Sequence, residues 1–72
     1  MATNIYSKEY IDLTQKLKKA RLGCKMSQND VALILNKPQS YISKIEKGER
    51  RIDIIELKCI AKIYNKKIDY FI

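Results

Sequence analysis

The sequence predicts an all-α domain. Apolar residues recur at spacings of three and four along most of the chain, which is the period of an amphipathic α-helix. Residues that favour helix starts and helix ends stand between these stretches. The central stretch, residues 27–48 (SQNDVALILNKPQSYISKIEKG), contains two short amphipathic segments joined by a very tight connection. Such a connection leaves room only for two helices that cross.

The first helix is predicted over residues 8–22. Ser7 is a suitable N-cap, and Gly23 follows the last periodic position. The side chains expected to face the core are Tyr10, Leu13, Leu17, Ala20 and Arg21. The outer face is basic, which is typical of a solubilising surface and also suits contact with a DNA backbone; its lysines are Lys16, Lys18 and Lys19.

The second helix is predicted over residues 28–35. Ser27 is placed as its N-cap and Asp30 stands at the third helical position, where a negative charge is favourable. Its inward face is formed by Val31, Ala32 and Leu35. Asn36 tolerates the left-handed conformation that closes a helix, and Pro38 suits the start of the next one.

The third helix is predicted over residues 38–47 and is stopped by Gly48. Four residues fall in register on one face: Tyr41, Ile42, Ile45 and Glu46. The other face is polar and carries Gln39, Ser40, Ser43 and Lys44. These side chains can reach base edges and phosphates from a helix in the major groove. A polar face is also commonly just a solvated face, and spacing alone leaves both interpretations open.

A fourth helix is predicted over residues 54–64, capped by Asp53, and a final turn over residues 67–71 packs back on the core. The fourth helix has two apolar stripes. One is expected in the core and contains Ile54, Leu57, Ile60, Ala61 and Tyr64. The other, Ile55, Cys59 and Ile63, is assigned to a homodimer contact together with Ile52, Tyr70 and Ile72. The alternative is a few scattered surface apolar residues, which are common.

Length and charge restrict the function. The 72 residues allow one small domain, residues 8–72, preceded by a flexible arm of residues 1–7. So small a domain buries little surface, and a dimer is expected for that reason. The formal net charge of +7 favours a polyanionic partner over an acidic substrate.

Several other classes of protein are disfavoured. The chain has no His, and Cys24 and Cys59 lack the spacing of a zinc or redox site. No apolar run approaches the ~20 residues of a membrane span, and no signal peptide is evident. We therefore expect a cytoplasmic protein with free thiols and no membrane contact. No nucleophile and base pair or phosphate-cradling loop is present, so neither catalysis, nor a cofactor or metal, nor a small-molecule substrate is expected.

Four strings resemble one known family. LKKAR, SQNDVA, YISKIEKGER and IAKIYNKKIDYF, in this order and spacing, are similar to the phage repressor and Cro (xenobiotic-response-element) family of helix-turn-helix DNA-binding proteins. The resemblance spans residues 13–71. It implies a compact five-helix, lambda-repressor-like domain that binds a pseudo-palindromic operator in double-stranded DNA as a homodimer. The implied function is control of transcription, with no cofactor.

The resemblance also implies roles for individual residues. Bases would be read by Gln39, Ser40 and Lys44, with Tyr41 and Ser43 on the flanks of that surface. Phosphates would be bound by Gln28, Lys47, Arg50 and Arg51. Arg21 and Glu46 match a structural ion pair.

Three residues depart from the family pattern. Lys25 and Asn36 stand where glycine is common, so either Lys25 or Gly23 must supply the left-handed residue of the first turn. Pro38 leaves the third helix without a side-chain cap.

A different class of function also fits this fold. The chain could be an interaction module that binds a protein, such as an antitoxin-like partner bound through Ile55, Cys59 and Ile63, because a fold does not determine a function.

Overall fold

The structure is a computed structural model that describes residues 7–72. Within this range it contains four α-helices, one short 3-10 helix and no strand: α1 (Lys8–Gly23), α2 (Gln28–Leu35), α3 (Gln39–Glu46), α4 (Ile54–Ile63) and the C-terminal 3-10 helix (Ile68–Tyr70). The expected all-α class is confirmed. Of the arm predicted for residues 1–7, only Ser7 belongs to the described residues, where it caps α1.

The expected number of five α-helices is wrong. The fifth element is a single turn closed by two bonds of the i to i+3 type, from Tyr70 N–H to the Lys67 carbonyl and from Phe71 N–H to the Ile68 carbonyl, each 3.0 Å long. Lys67 is extended immediately before it. Only a short 3-10 turn forms between that residue and Phe71, which anchors the turn in the core.

Side-chain caps define three of the helix starts. Ser27 and Asp30 form a reciprocal capping box at the start of α2, and Asp53 and Glu56 form another at the start of α4. The predicted caps at Ser27 and Asp53 are confirmed. Pro38 precedes α3 without any side-chain cap, as expected from its chemistry.

All four α-helices end in the same type of turn. A residue with positive φ follows each helix, and the next N–H bonds back to a carbonyl in the helix: Met26 to Arg21, Lys37 to Ala32, Glu49 to Lys44 and Lys66 to Ala61. The left-handed residues are Lys25, Asn36, Gly48 and Asn65. Lys25, with φ of 59°, therefore supplies the first turn, and Gly23 stays inside α1.

The core is formed by side chains from all four α-helices together with Phe71. Its most deeply buried large side chains are Leu17, Val31, Ile42, Ile45 and Ile60. Most residues predicted to face inward are buried, but Ile54 is 52% exposed. It is the first residue of α4, and the buried residues of that helix begin at Leu57. Thr14, for which the sequence made no prediction, is buried and bonds back to the Ile11 carbonyl.

None of the helices within residues 7–72 has the length and apolarity needed to cross a membrane.

Candidate nucleic-acid interface

Helix α3 divides into a buried and an exposed face. Ile42 and Ile45 are almost fully buried, and this fixes the rotation of the helix about its axis. On the opposite side Gln39, Ser40 and Lys44 are exposed, and Ser43 is half-buried. The structure therefore brings the three residues predicted to read bases onto one accessible surface.

The N-terminal ends of α2 and α3 meet through their first residues. Gln39 donates a hydrogen bond from its side-chain nitrogen to the side-chain oxygen of Gln28, at 2.6 Å. The turn at Asn36 makes this contact possible, because its left-handed backbone reverses the chain and lets α3 cross α2. Gln28 is half-buried in this position and Gln39 is exposed.

Behind this contact lies an ion pair between Arg21 and Glu46. The Arg21 Nε donates to Glu46 Oε2 at 2.7 Å, and its Nη2 donates to Oε1 at 3.1 Å. Both side chains are nearly inaccessible, with exposures of 7% and 5%. The hydrogen bond to Glu46 raises the pKa of Arg21 above its ordinary value, although burial acts in the opposite direction. Arg21 also donates to the Met26 carbonyl, so the pair ties α1 both to α3 and to the turn before α2.

The same carboxylate reaches the surface through Gln28. The side-chain nitrogen of Gln28 donates to Glu46 Oε1 at 3.1 Å. Four side chains thus form one chain of hydrogen bonds, from Arg21 through Glu46 and Gln28 to Gln39. We refer to it below as the amide relay.

The loop after α3 carries three cations that the sequence assigned to phosphates. Lys47, Arg50 and Arg51 are all exposed. Arg50 is held by Glu56, with a distance of 3.1 Å from Nη2 to Oε2, and its guanidinium lies 4.8 Å from the ring centre of Tyr41. The guanidinium of Arg51 lies 5.8 Å from the ring centre of Tyr10.

Tyr41, which was expected to flank the DNA-reading surface, lies on the inward side of α3. Its side chain is buried against the core, and its hydroxyl donates to Glu56 Oε2 at 2.6 Å. Burial and this hydrogen bond raise the pKa of Tyr41 to about 12. The pKa of Glu56 is lowered, chiefly because the Tyr41 hydroxyl stabilises the carboxylate. Tyr41 turns inward because it shares the face of α3 that carries Ile42 and Ile45.

Two residues of this loop site were missed by the sequence analysis. Glu56 bonds to both Tyr41 and Arg50. The Tyr10 hydroxyl donates to the Arg50 carbonyl at 2.8 Å and accepts from the Ile52 N–H at 3.2 Å, so it holds the loop from both sides. Asp53 and Glu56 have the spacing of a capping box, which the structure contains, although the sequence analysis named only Asp53 as a cap. No local signal indicated that this Glu also binds Arg50.

The apolar stripe assigned to a dimer contact is divided by the structure. Ile55 is 63% exposed, and Cys59, Tyr70 and Ile72 are also exposed. Ile52 and Ile63 instead are partly buried and pack against the core. Ile54 lies exposed beside Ile55 at the start of α4, so the accessible apolar surface includes a residue that was expected inside.

Two short helices that cross at a left-handed turn, with the second presenting a polar face, define a helix-turn-helix domain. The family model described as Helix-turn-helix matches residues 17–71, which is most of the chain. The chain belongs to this family, which is of the Cro/C1 type and binds DNA. No significant match was found among curated proteins or among solved structures.

Proposed function

We propose that the protein is a homodimeric, sequence-specific DNA-binding regulator of transcription. In this proposal α3 enters the major groove of a pseudo-palindromic operator, and the residues at its two ends bind the phosphate backbone on either side.

The observation that carries this proposal is the exposed polar face of α3. Gln39, Ser40 and Lys44 are accessible on one side of a helix whose other side is buried in the core. Gln can pair with adenine through two hydrogen bonds, and Lys can donate to the acceptors of guanine. Ser43, which is half-buried, borders this surface.

Phosphate contacts are assigned to the residues around this face. Gln28 lies at the N-terminal end of α2, where backbone N–H groups favour an anion. Lys47 lies at the C-terminal end of α3, and Arg50 and Arg51 follow in the loop. Such contacts position a protein on DNA without reading its sequence.

The homodimer is proposed to form through the exposed apolar residues around α4. Ile55 is the most exposed large apolar residue of that helix, and the nearby apolar side chains available to a partner are Ile54, Cys59, Tyr70 and Ile72. Ile63 contributes only its accessible part. A two-fold dimer would place its two α3 helices about 34 Å apart, which is one turn of DNA.

The test of DNA recognition is selection of bound duplexes from a random library, followed by a salt titration on the recovered sequence. A preferred, pseudo-palindromic duplex and an affinity that falls steeply with salt are expected. Recovery of random sequences only would contradict sequence-specific binding.

The dimer has its own test, which is the mass of the protein in sedimentation before and after Ile55→Glu. The expected result is a dimer for the natural sequence and a monomer for the variant, since a charge would be buried at the contact. Gln15→Glu, which introduces the same charge at an exposed position of α1, is the control. An unchanged mass in Ile55→Glu would refute this surface as the contact.

The exposed Ile55 and Cys59 also suit a second candidate function, the binding of an antitoxin-like protein partner. Salt dependence distinguishes the two candidates. If the protein does not bind random duplex even at low salt, or if its affinity for random duplex does not change with salt, the protein partner is favoured over DNA.

A further inference from the structure

The outer face of α2 carries two large apolar side chains that neither the core nor the polar face of α3 uses. Leu33 is 70% exposed and Ile34 is 59% exposed. They lie on the side of the helix opposite the buried Val31 and Ala32. In the described part of the chain, only the C-terminal residue is a more exposed large apolar residue than Leu33. Adjoining exposed apolar residues, unlike scattered single ones, are a feature of interaction surfaces.

This apolar pair faces away from the amide relay. At about 100° per residue, the direction midway between Leu33 and Ile34 is roughly 170° round α2 from Gln28. Gln28 makes its bonds to Gln39 and Glu46 on its own side of the helix. A partner on the outer face of α2 would therefore leave these bonds intact.

One charged residue of each sign flanks the apolar pair. Asp30 stands three positions before Leu33, and Lys37 stands three positions after Ile34. The four residues have the i, i+3, i+4, i+7 spacing of one helix face, and all are exposed. Asp30 accepts the N–H of the N-cap residue through one oxygen, Oδ2. The Lys37 ammonium, which has three donors, lies 5.4 Å from the ring centre of Tyr41. Both charges are accessible to a partner.

The outer face of α2 is complementary to itself about a two-fold axis. In a contact between two copies related by such an axis, each residue pair occurs twice. With the axis between Leu33 and Ile34, the two α2 helices run antiparallel and Leu33 meets the partner's Ile34. Asp30 then meets the partner's Lys37, and the same pair recurs on the other side of the axis. Parallel helices would instead bring like charges together.

A contact through this face is weak by itself. A stable interface involves about 20–30 residues from each partner, far more than this face offers. Weak contacts become effective when the copies are held close together, because tethering raises the effective concentration to roughly the millimolar range. Dimers on neighbouring operators are held in this way. When two pseudo-palindromic sites of the same sequence adjoin, the midpoint between them is a further two-fold axis, so the facing copies are related as this surface requires.

We propose that the outer face of α2 binds the same face of a second copy of this chain, with the two helices antiparallel. The symmetric order of the charges at Asp30 and Lys37 is the observation that favours a second copy over an unrelated protein. The contact adds to the dimer proposed through α4. Its effect on DNA rests on the proposed function, whereas the contact itself does not depend on DNA.

The first test compares one operator with two operators on the same duplex. The operator is recovered by selection, and the spacing between the two copies is varied over one turn of DNA, about 10–10.5 base pairs. At the spacing that brings the two α2 helices together, the natural sequence should bind the second operator on the order of tenfold more tightly than a single one. Leu33→Ser should remove this gain in affinity and keep the affinity for the single operator. Leu22→Ser, the same change at an exposed Leu of α1, should keep both.

A reversal of the charges tests whether the surface recognises itself. Lys37→Glu and Asp30→Lys, each alone, place like charges in both pairs and should lose the gain in affinity. The double variant restores opposite charges and should recover the gain, which would not occur with an unrelated partner whose surface is unchanged. Each affinity is divided by that for the single operator, so a general loss of DNA binding cancels.

The variants differ in their effect on the fold. Asp30→Lys removes a bond that caps α2, so circular dichroism must show that its helices are retained. Lys37→Glu leaves that cap in place and carries the test by itself if Asp30→Lys does not fold. A gain in affinity that is absent at every spacing, or that is equal in Leu33→Ser and Leu22→Ser, would refute the contact and leave the apolar pair to an unrelated protein.

A second test uses the protein without DNA. In Ile55→Glu, a variant made to break the α4 contact, the backbone amide signals of residues 29–37 are followed by NMR. They should shift as the concentration rises to about 1 mM, and they should not shift when Lys37→Glu is added. Signals that stay in place in Ile55→Glu would also refute the contact. Failure to recover any preferred duplex would instead contradict the proposed function, and this second test would still decide the contact.

Discussion

The two ends of α3 are held in different ways. The N-terminal end is tied through Gln39 and Gln28 to Glu46, whose pairing with Arg21 is almost fully buried. The loop beyond the C-terminal end is held by Glu56, which is paired with an Arg50 that is 44% exposed. The pair of Arg21 and Glu46, the buried anchor, is therefore shielded from water and salt. The pair of Arg50 and Glu56, the exposed or loop anchor, is open to both.

This difference suits two kinds of contact. A side chain that distinguishes bases must keep one orientation, and a buried charge pair can impose it. A cation that binds phosphate needs only to be near the backbone, and an exposed Arg can leave Glu56 at little cost, because exposed ion pairs contribute little. The two ends of one short helix can thus differ, with one held by a buried pair and the other free to adapt.

The largest expected effect comes from breaking the buried anchor. Arg21→Met should lower the free energy of unfolding by about 3–5 kcal/mol, since it strands the carboxylate of Glu46 in the core. Urea unfolding followed by circular dichroism measures this loss. Arg50→Met, which makes the same change at the exposed anchor, should shift the midpoint far less. Similar losses in the two variants would remove the contrast between the ends.

The next effect concerns DNA recognition at α3. Lys44→Ala should relax base preference at one operator position, by about 1–3 kcal/mol of discrimination. Lys47→Ala, one turn further along the chain, should weaken all duplexes alike and reduce the slope of log affinity against log salt by about one unit. Affinities of both variants for the operator and its single-base variants, measured at several salt concentrations, check this. Equal losses on every duplex in both variants would refute the assignment of base reading to Lys44 and of phosphate binding to Lys47.

A smaller effect is expected at the loop anchor. Tyr41→Phe removes the hydroxyl that donates to Glu56 at 2.6 Å and keeps the buried ring. The free energy of unfolding should fall by about 1 kcal/mol, because Glu56 keeps its bonds to Arg50 and to the Asp53 N–H. Urea unfolding again gives the value. No change would mean that the hydroxyl bond contributes nothing to stability.

The smallest effect is the pH dependence of the same anchor. Glu56 has a folded-state pKa below its ordinary value of 4.5, so its contribution to stability is present above pH 4.5 and is lost as the pH falls through the lowered pKa. The difference in unfolding free energy between the natural sequence and Glu56→Gln should be constant above that pH and shrink below it. Tyr41→Phe should move the loss to higher pH, since the Tyr41 hydrogen bond is the largest cause of the lowered pKa. A difference that is independent of pH would contradict this account.

Much of the fold could be predicted from the sequence because its signals are local. A cap such as Ser27 lies within a few residues of the N–H groups that it satisfies, and the apolar period of a helix repeats every turn. The bounds of α2 and the caps at Ser27 and Asp53 were therefore predictable. The five-helix count was wrong because it came from the family resemblance; the residue pattern itself predicted only a final turn over residues 67–71, and a 3-10 turn forms there.

The sequence by itself determined the order of the helices, their amphipathic faces, the basic charge and the residue types exposed on α3. The tertiary structure alone decided that the inward-facing Tyr41 bonds to Glu56, that Tyr10 holds the loop from α1, and that Ile54 rather than Ile63 is the more exposed of the two. It also joined Glu46 and Gln28, which lie 18 positions apart. The physical reason is that such contacts depend on where one helix crosses another, and residues distant in the chain leave no local pattern that records the crossing.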